Sequence, residues 1–372
     1  MRKNKKIVMI SPKDNNFYNF RSELILKMVE LGYEVVLVCP YGEKIDYFVK
    51  RGCRFIDVNI DRRGTSILND GKLILAYRKL LKKEKPDVVL TYTTKCSVYG
   101  GMVCRWLKIP YIVNNAGLIE SENSNSPLQK LLKMLYKVGF KGASCMMYQN
   151  QRERDVVNHL LNNKVHYRDI PGSGVNLQDF SFKEYPASDD KIVFNYVARI
   201  VSIKGIKEFL DCAEIIKKEY PNTAFVIYGD YDEEEYRPRI EKLIENGVVK
   251  YGGVALDMKP HIEAAHAVIH PSYYEGMTNV VLEHSAMGRP CIGSDIPGVR
   301  EGIDVGVTGY LFEVKNVESM VAAVRRFIAL SHEDKVTMAR NARVKMEREF
   351  SRDIVTKAYL DEIDAALQGD KK

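Results

Sequence analysis

Short apolar runs alternate with longer stretches of helical spacing from the first residues onward. Residues 6–11 (KIVMIS), 34–39 (EVVLVC), 53–58 (CRFIDV), 87–93 (DVVLTYT), 111–115 (YIVNN) and 144–149 (SCMMYQ) are dense in β-branched and other apolar residues and predict strands. Between most of them lie amphipathic segments such as RSELILKMVELGY and SILNDGKLILAYRKLLKKEK, which predict helices. Near-continuous apolar strands separated by helices imply a parallel sheet covered on both faces. The segment 171–190 (PGSGVNLQDFSFKEYPASDD) interrupts the pattern with Pro, Gly and Ser and is expected to link two domains. The alternation then resumes, with strands expected in KIVFNYVARI, AFVIYGD, VVKYGGV, AVIHPS and PCIGSD and a helix in KGIKEFLDCAEIIKKEY. The expected architecture is therefore α/β, with two Rossmann-like doubly wound domains at 1–175 and 176–351 facing a central cleft. A final helix over about 352–367, within a terminal segment 352–372, is expected to pack back toward the first domain.

Composition changes this picture little. With 372 residues the chain exceeds one ordinary core, which agrees with two domains. No apolar run approaches the roughly 20 residues that span a bilayer, and the apolar part of MRKNKKIVMIS is too short for a signal peptide. Seven cysteines without paired spacing point to a reducing cytoplasm, and the lack of any C-x-x-C argues against structural zinc. A net charge of +7 fits an anionic ligand, an anionic membrane face or nucleic acid without choosing among them.

Candidate chemistry concentrates in the second domain. In HPSYYEGMTNVVLEHSAMGRP (270–290), AVIH ends a strand, PSYYEGM reads as loop, Thr278 can cap a helix, and Gly288 followed by Pro290 stops it. Glu275 then precedes a helix N-terminus and Glu283 lies inside the helix. The amides of Gly276, Met277, Thr278 and Asn279 would be donors at the positive end of a helix dipole, suited to a phosphate. The residues alone leave two readings. Glu275 can face a sugar and Glu283 a ribose, or Glu275 can complement the dipole while Glu283 is solvated. In VARIVSIKG (197–205), Arg199 follows a strand and Lys204 precedes the next helix. Parallel strands put such ends on one edge, so both cations are expected to converge with the Glu275 loop into a diphosphate cradle.

In combination, the E-x₇-E pair, its surrounding residues 270–295, R-x₄-K-G at 199–205 and PGSGVN at 171–176 resemble the family-four retaining glycosyltransferases of the two-domain arrangement called GT-B. The resemblance covers nearly the whole chain. FYNFR and GMTNVVLEHSAMGRP look most like bacterial enzymes of capsule, O-antigen and lipid-linked oligosaccharide assembly. By this resemblance Arg199 and Lys204 hold the donor diphosphate, Glu275 contacts the transferred sugar, and Glu283 contacts the ribose. The amides of 276–279 help bind the phosphates and sugar, and Gly229 approaches the nucleotide. The resemblance implies retaining transfer from a nucleotide-sugar, expected to be a UDP-sugar, to a polyprenyl-diphosphate-linked saccharide, with no cofactor and no metal. Asn19, Arg21, Lys95 and Asn115 are the candidates for the acceptor on the first domain. The chain departs from the family twice. SPKDNNFYNFR stands where many relatives have a glycine-rich loop, with Asn15, Asn16 and Asn19 or the backbone as substitutes. Asn114, Asn115 and Ala116 stand where many relatives have a histidine.

Other patterns carry less. Asp230 and Asp232, in a D-x-D continued by an acidic run, read as a solvated loop. His266 and His270 flank a strand and cannot share a helical face for zinc, and His270 reads as a packed residue. No G-x-x-x-x-G-K-[ST] or G-x-G-x-x-G occurs, and nucleic-acid binding would rest on net charge alone. In SPLQKLLKMLYKVGFKG (126–142), Ser126 and Pro127 open a helix whose Lys130, Lys133, Lys137 and Lys141 fall on one stripe. That stripe is either solvated or turned to an anionic membrane, which would make the chain a peripheral protein at the inner face of the cytoplasmic membrane. An epimerase or phosphorylase of the same architecture, and a non-catalytic nucleotide-sugar or membrane-binding protein, are the alternative readings.

Overall fold

The computed structural model describes residues 4–60, 67–115 and 127–369. They form two compact units, one of residues 1–173 with 353–372 and one of residues 174–352. The first runs β1 (Lys6–Ile10), α1 (Asp14–Glu30), β2 (Glu34–Cys39), α2 (Ile45–Val49), β3 (Arg54–Asp57), α3 (Ile67–Glu84), β4 (Val88–Tyr92), α4 (Thr94–Leu107), β5 (Tyr111–Asn115), α5 (Pro127–Phe140), β6 (Cys145–Tyr148), α6 (Gln151–Leu160) and β7 (Tyr167–Asp169). Its sheet is parallel, in the order β3-β2-β1-β4-β5-β6-β7. The pleat sends Ile7 and Met9 of β1 into one core cluster and Val8 and Ile10 into the other. A strand covered on both faces needs apolar residues at every position, which is why these runs are continuous rather than alternating.

The second unit runs β8 (Ile192–Val197), α7 (Ile206–Glu219), β9 (Thr223–Tyr228), α8 (Arg237–Glu245), β10 (Val249–Gly253), α9 (Lys259–Glu263), β11 (Ala267–His270), α10 (Asn279–Ala286), β12 (Cys291–Ser294), β13 (Gly309–Phe312), α11 (Val317–Ala329) and α12 (His332–Lys345). Its parallel order is β10-β9-β8-β11-β12-β13. The last helix, α13 (Arg352–Gln368), sends Val355, Tyr359 and Ile363 into a core cluster of the first unit. The segment entering the second unit and the one leaving it pair with each other: Val175 N–H donates to Phe350 O at 2.8 Å and Arg352 N–H to Val175 O at 3.0 Å.

The stretch 177–184 is fixed to the second unit by two arginines. Arg289 is fully buried and donates to the carbonyls of Lys183, Glu184, Glu263, Met287 and Gly288. Arg343 donates to those of Leu177, Phe180 and Ala286. Irregular backbone has carbonyls with no ladder partner, and a guanidinium supplies several donors from one side chain. All seven cysteines are buried free thiols. Among the described residues no helix is long and apolar enough to cross a membrane.

Two strands lie outside the sequence reading, β7 and β13, and both are edge strands of three and four residues. The other two edge strands, β3 and β10, fall within the predicted 53–58 and VVKYGGV.

Candidate active site

In both sheets the strand order reverses once, between β1 and β4 in the first unit and between β8 and β11 in the second. Loops leaving the carboxyl ends on either side of such a point diverge and leave room for a ligand. In the second unit those two loops carry Lys204, after β8, and Glu275, after β11.

Lys204 ends a 3-10 turn, Ser202–Lys204, and Gly205 follows with φ 68°. A Cβ on Gly205 would lie 2.1 Å from Pro271 O, so only glycine lets the loop after β8 close onto the loop after β11. The Tyr273 amide donates to Ile203 O at 2.9 Å, holding the two loops together, and the Tyr196 hydroxyl of β8 donates to Lys204 O at 3.2 Å, fixing the first loop to its strand. The Lys204 ammonium thereby reaches Glu275 Oε1 at 2.5 Å. The same oxygen lies 3.1 Å from Nε2 of His270, the last residue of β11. Burial by itself would raise the Glu275 carboxyl, but the His270 hydrogen bond and charge and then Lys204 outweigh it and hold the group down at about 2. His270 is thus a site residue that sequence reasoning placed in the packed core. Its signal was its position at the end of a strand leaving the switch point.

Arg199 sits on the same edge but does not join Lys204. It is about half exposed and paired with Asp232, so the expected two-cation cradle is divided in this structure. The D-x-D stretch is exposed at both Asp230 and Asp232, as the sequence reading has it, and Asp232 pairs with Arg199 at the surface. The cause is local, since the Ile200 carbonyl accepts the amides of Asp232 and Glu233 and lays that loop alongside Arg199. Gly229 follows β9, with its N–H donated to Gly253 O and its carbonyl accepting the Tyr251 hydroxyl, each at 2.9 Å.

Thr278 occupies the N-cap position of α10 but makes no side-chain cap bond. Its amide donates to Gly298 O at 3.0 Å, so the amides of 276–279 are not all open to a ligand. Met277 packs its side chain into a cluster with Val175, Leu282 and Phe350, leaving only its backbone toward the loop. Gly276 and Asn279 flank these two at the helix start, both half-buried.

Glu283 lies in the second turn of α10. Loss of solvent around it pushes its carboxyl up to about 7, with Asp179 adding to the rise and Arg352 and Lys259 opposing it. Glu283 is half-buried rather than fully solvated. The folded chain holds this proton more tightly than the unfolded chain, whose carboxyl sits near 4.5. Stability is therefore expected to fall as pH rises from about 4.5 to about 7, by on the order of 1–3 kcal/mol, and Glu283→Gln to flatten that slope. Glu275 is ionised in both states across this window. Its stabilisation is present above 4.5 and is lost as pH falls toward about 2. Denaturant midpoints of the two proteins across this range check it; parallel curves would refute the assignment.

The first unit overturns one acceptor candidate, Arg21, and places two others, Asn19 and Lys95. Arg21 is 3% exposed, with its guanidinium 5.2 Å from the ring centres of both Tyr92 and Tyr359, and donates to Phe20 O at 2.6 Å. It shares the inward stripe of α1 with Phe17, Leu24, Ile25 and Met28, which takes it out of reach of an acceptor phosphate. The residues 14–21 form helix rather than loop, so Asn15, Asn16 and Asn19 do not replace a glycine-rich loop; Asn19 is exposed on α1, and Asn16 Nδ2 donates to Ser11 Oγ at 3.1 Å. Lys95, at the start of α4, is already paired with Asp70 at 2.7 Å. It lines a cavity of about 470 Å³ with Asp57, Asn59, Asn69, Asp70 and Lys72 at the carboxyl edge of the first sheet. Asn115 ends β5, and its side chain lies outside the described residues, as do Ala116 and Ser126.

Potential metal ligands also gather in the first unit, where Cys145, His166 and Glu362 bring their ligand atoms within 4.8 Å of one another. Glu362 is shared there by His166 at 3.0 Å and by the cationic Arg168 at 3.4 Å, and burial pushes the Cys145 thiol up.

Residues 6–150 match the family model of glycosyl transferase 4-like domains, and residues 178–345 that of glycosyl transferases group 1. The chain is a glycosyltransferase. Over 98% of its length it is 25% identical to 99% of the N,N'-diacetylbacillosaminyl-diphospho-undecaprenol α-1,3-N-acetylgalactosaminyltransferase of Campylobacter jejuni. It is also 25% identical, over 86% of each chain, to the UDP-Gal:α-D-GlcNAc-diphosphoundecaprenol α-1,3-galactosyltransferase of Escherichia coli. Among solved structures, a glycosyltransferase from Rickettsia africae superposes with a TM-score of 0.78 at 18% identity, covering 99% of this chain and 100% of that one. Anabaena Alr3699/HepE in complex with UDP does so with 0.79 at 16%, covering 97% and 100%. The fold of the glycosyltransferase is GT-B.

Proposed function

We propose that this glycosyltransferase moves a sugar, with retention at the anomeric carbon, from a UDP-sugar to a polyprenyl-diphosphate-linked saccharide during assembly of a bacterial surface polysaccharide. The observation that carries the reading is the cluster of half-buried Lys204 and Glu275 on the buried His270 at the switch point of the second unit. An ionised carboxylate beside a cation there offers a sugar hydroxyl an acceptor and a leaving diphosphate a positive charge. Lys204, with Arg199 released from Asp232, meets the charge that grows on the departing phosphate, so the chain's own cations serve the diphosphate and no metal is called for. Glu275 takes a hydroxyl of the transferred sugar, and Glu283 the ribose, while Gly276, Met277 and Asn279 face the donor through backbone, and Thr278 and Gly229, whose backbone groups are already paired, hold the loops around it. Names of relatives that act on undecaprenyl-diphosphate sugars, and the UDP bound to a structural neighbour, support the donor and acceptor classes. On the first unit the cavity at Lys95 is the candidate acceptor pocket, with Asn19 and Asn115 as further acceptor contacts. The chain would act as a peripheral protein at the inner face of the cytoplasmic membrane, with Lys130, Lys133, Lys137 and Lys141 toward anionic lipid.

A panel of UDP-, GDP- and other nucleotide-sugars incubated with polyprenyl-diphosphate saccharides, read by mass spectrometry, tests the reaction, and the proton coupling constant of the new anomeric centre tests retention. The expected result is one sugar added from a UDP donor with the anomeric configuration kept. Release of free sugar alone, dependence on free phosphate, or an inverted product would overturn the proposal.

A further inference from the structure

The outer surface of the α3–α4–α5 layer is built for more than water. These helices cover one face of the first sheet through Tyr77, Val103, Tyr136 and Phe140. On α5 the inward positions are Tyr136, Gly139 and Phe140, with Leu132 and Leu135 partly buried, which leaves Leu131, Met134 and Val138 outside at 46%, 54% and 37% exposure. These three lie among Lys130, Lys137 and Lys141 rather than on a face of their own, and Lys133 is half-buried, which corrects the simple lysine stripe. The neighbouring helices continue the pattern. Trp106 near the end of α4 and Leu75 on α3 are each 61% exposed, and the Arg78 guanidinium lies 4.5 Å from the Trp106 ring centre. α4 and α5 approach closely along this layer. A Cβ on Gly101 would lie 2.1 Å from Gly139 O, and Arg105, beside Trp106, donates to Val138 O at 2.8 Å.

Single exposed apolar residues are ordinary on protein surfaces. Five of them on one helical layer, one a tryptophan, call for a covering partner. Charge selects it. The acidic residues of 67–108 and 127–142 are Asp70, Glu84 and Asp87, and each is already paired, with Lys95, with Lys6 and Arg54, and with Lys5. Lys79, Lys82, Lys108, Lys130, Lys137 and Lys141 are exposed around the apolar patch. An amphipathic surface with cations at its margin and tryptophan and leucine at its centre matches the interface of an anionic bilayer, where indole sits at headgroup depth and lysines meet lipid phosphate.

We infer that the α3–α4–α5 face docks on an anionic lipid surface, with Trp106, Leu75, Leu131, Met134 and Val138 entering the interfacial zone and the lysines holding the headgroups. The docking gives the proposed lipid-linked acceptor its meeting place and rests on that reading for its purpose, but its physics needs no acceptor. Trp106 is the chain's one tryptophan, so its emission reports this face alone. The protein is titrated with vesicles of phosphatidylcholine and phosphatidylglycerol, free of any polyprenyl lipid, and with pure phosphatidylcholine as control. Expected are a blue shift and quenching by brominated acyl chains with the anionic vesicles. Binding should weaken at least about tenfold in a Leu131→Ser/Met134→Ser variant and in one with the four α5-region lysines changed to glutamine. These positions are exposed or half-exposed, and an unchanged circular dichroism spectrum confirms the fold. Unchanged Trp106 emission, equal binding by the Ser variant, or a dimer in solution that the Ser variant dissociates would overturn the inference. Turnover on a detergent-dispersed acceptor is the separate check. If it persists while vesicle binding fails, the docking face is wrong and the transferase reading stands.

Discussion

Lys204→Ala is expected to lower sugar transfer by about a hundredfold or more while leaving the second unit folded. The ammonium is 20% exposed and stands 2.5 Å from Glu275 at the switch point, where a charge developing on the leaving diphosphate would meet little screening. Removing a preorganised contact of this kind typically costs about 3 kcal/mol in the transition state. Glu275 keeps the His270 hydrogen bond in this variant, so its buried charge is not left alone. Arg199→Ala is expected to move turnover in the same direction. Steady-state rates with saturating donor, together with the thermal midpoint, are the measurement. Near-normal turnover in both variants would remove the cations from the mechanism.

Glu275→Gln is expected to abolish transfer nearly as strongly and to leave affinity for the free nucleoside diphosphate within a few-fold. The carboxylate is held ionised by His270 and Lys204, and an amide keeps its shape but gives up the charge that both partners and a sugar hydroxyl would use. Glu283→Gln should do the reverse, weakening the nucleotide more than the chemical step, because Glu283 lies a turn further along α10. Calorimetry with UDP and turnover with the complete donor separate the two. Equal loss of UDP affinity in both variants would refute the division of roles. The pH slope expected of Glu283 adds an independent check without substrate.

The alternation of apolar runs and amphipathic segments was enough to give two parallel α/β units, since a strand covered on both faces must be apolar at every position. The interior strands β1, β2, β4, β5, β6, β8, β9, β11 and β12 were legible for that reason; of the edge strands, β3 and β10 were legible too, and β7 and β13 were not. The glycine of K-G was likewise legible, because a residue at φ 68° pressed on Pro271 O has no substitute. So were Glu275, Glu283, Arg199 and Lys204 as the charged residues around the carboxyl edge of the second sheet.

What the sequence could not carry was which charge meets which. Ion pairs form between residues far apart in the chain, 71 positions for Lys204 and Glu275 and 33 for Arg199 and Asp232, and their choice depends on ångström distances between loops. Arg21 read as an acceptor contact until the register of α1 turned it inward between Tyr92 and Tyr359. His270 looked like core until β11 delivered its ring to Glu275. Which apolar residues of α5 are covered was decided by its crossing with α4 at Gly101 and Gly139. Hydrophobic periodicity is local and survives in one dimension; desolvation and pairing are set by neighbours that only the folded chain brings together.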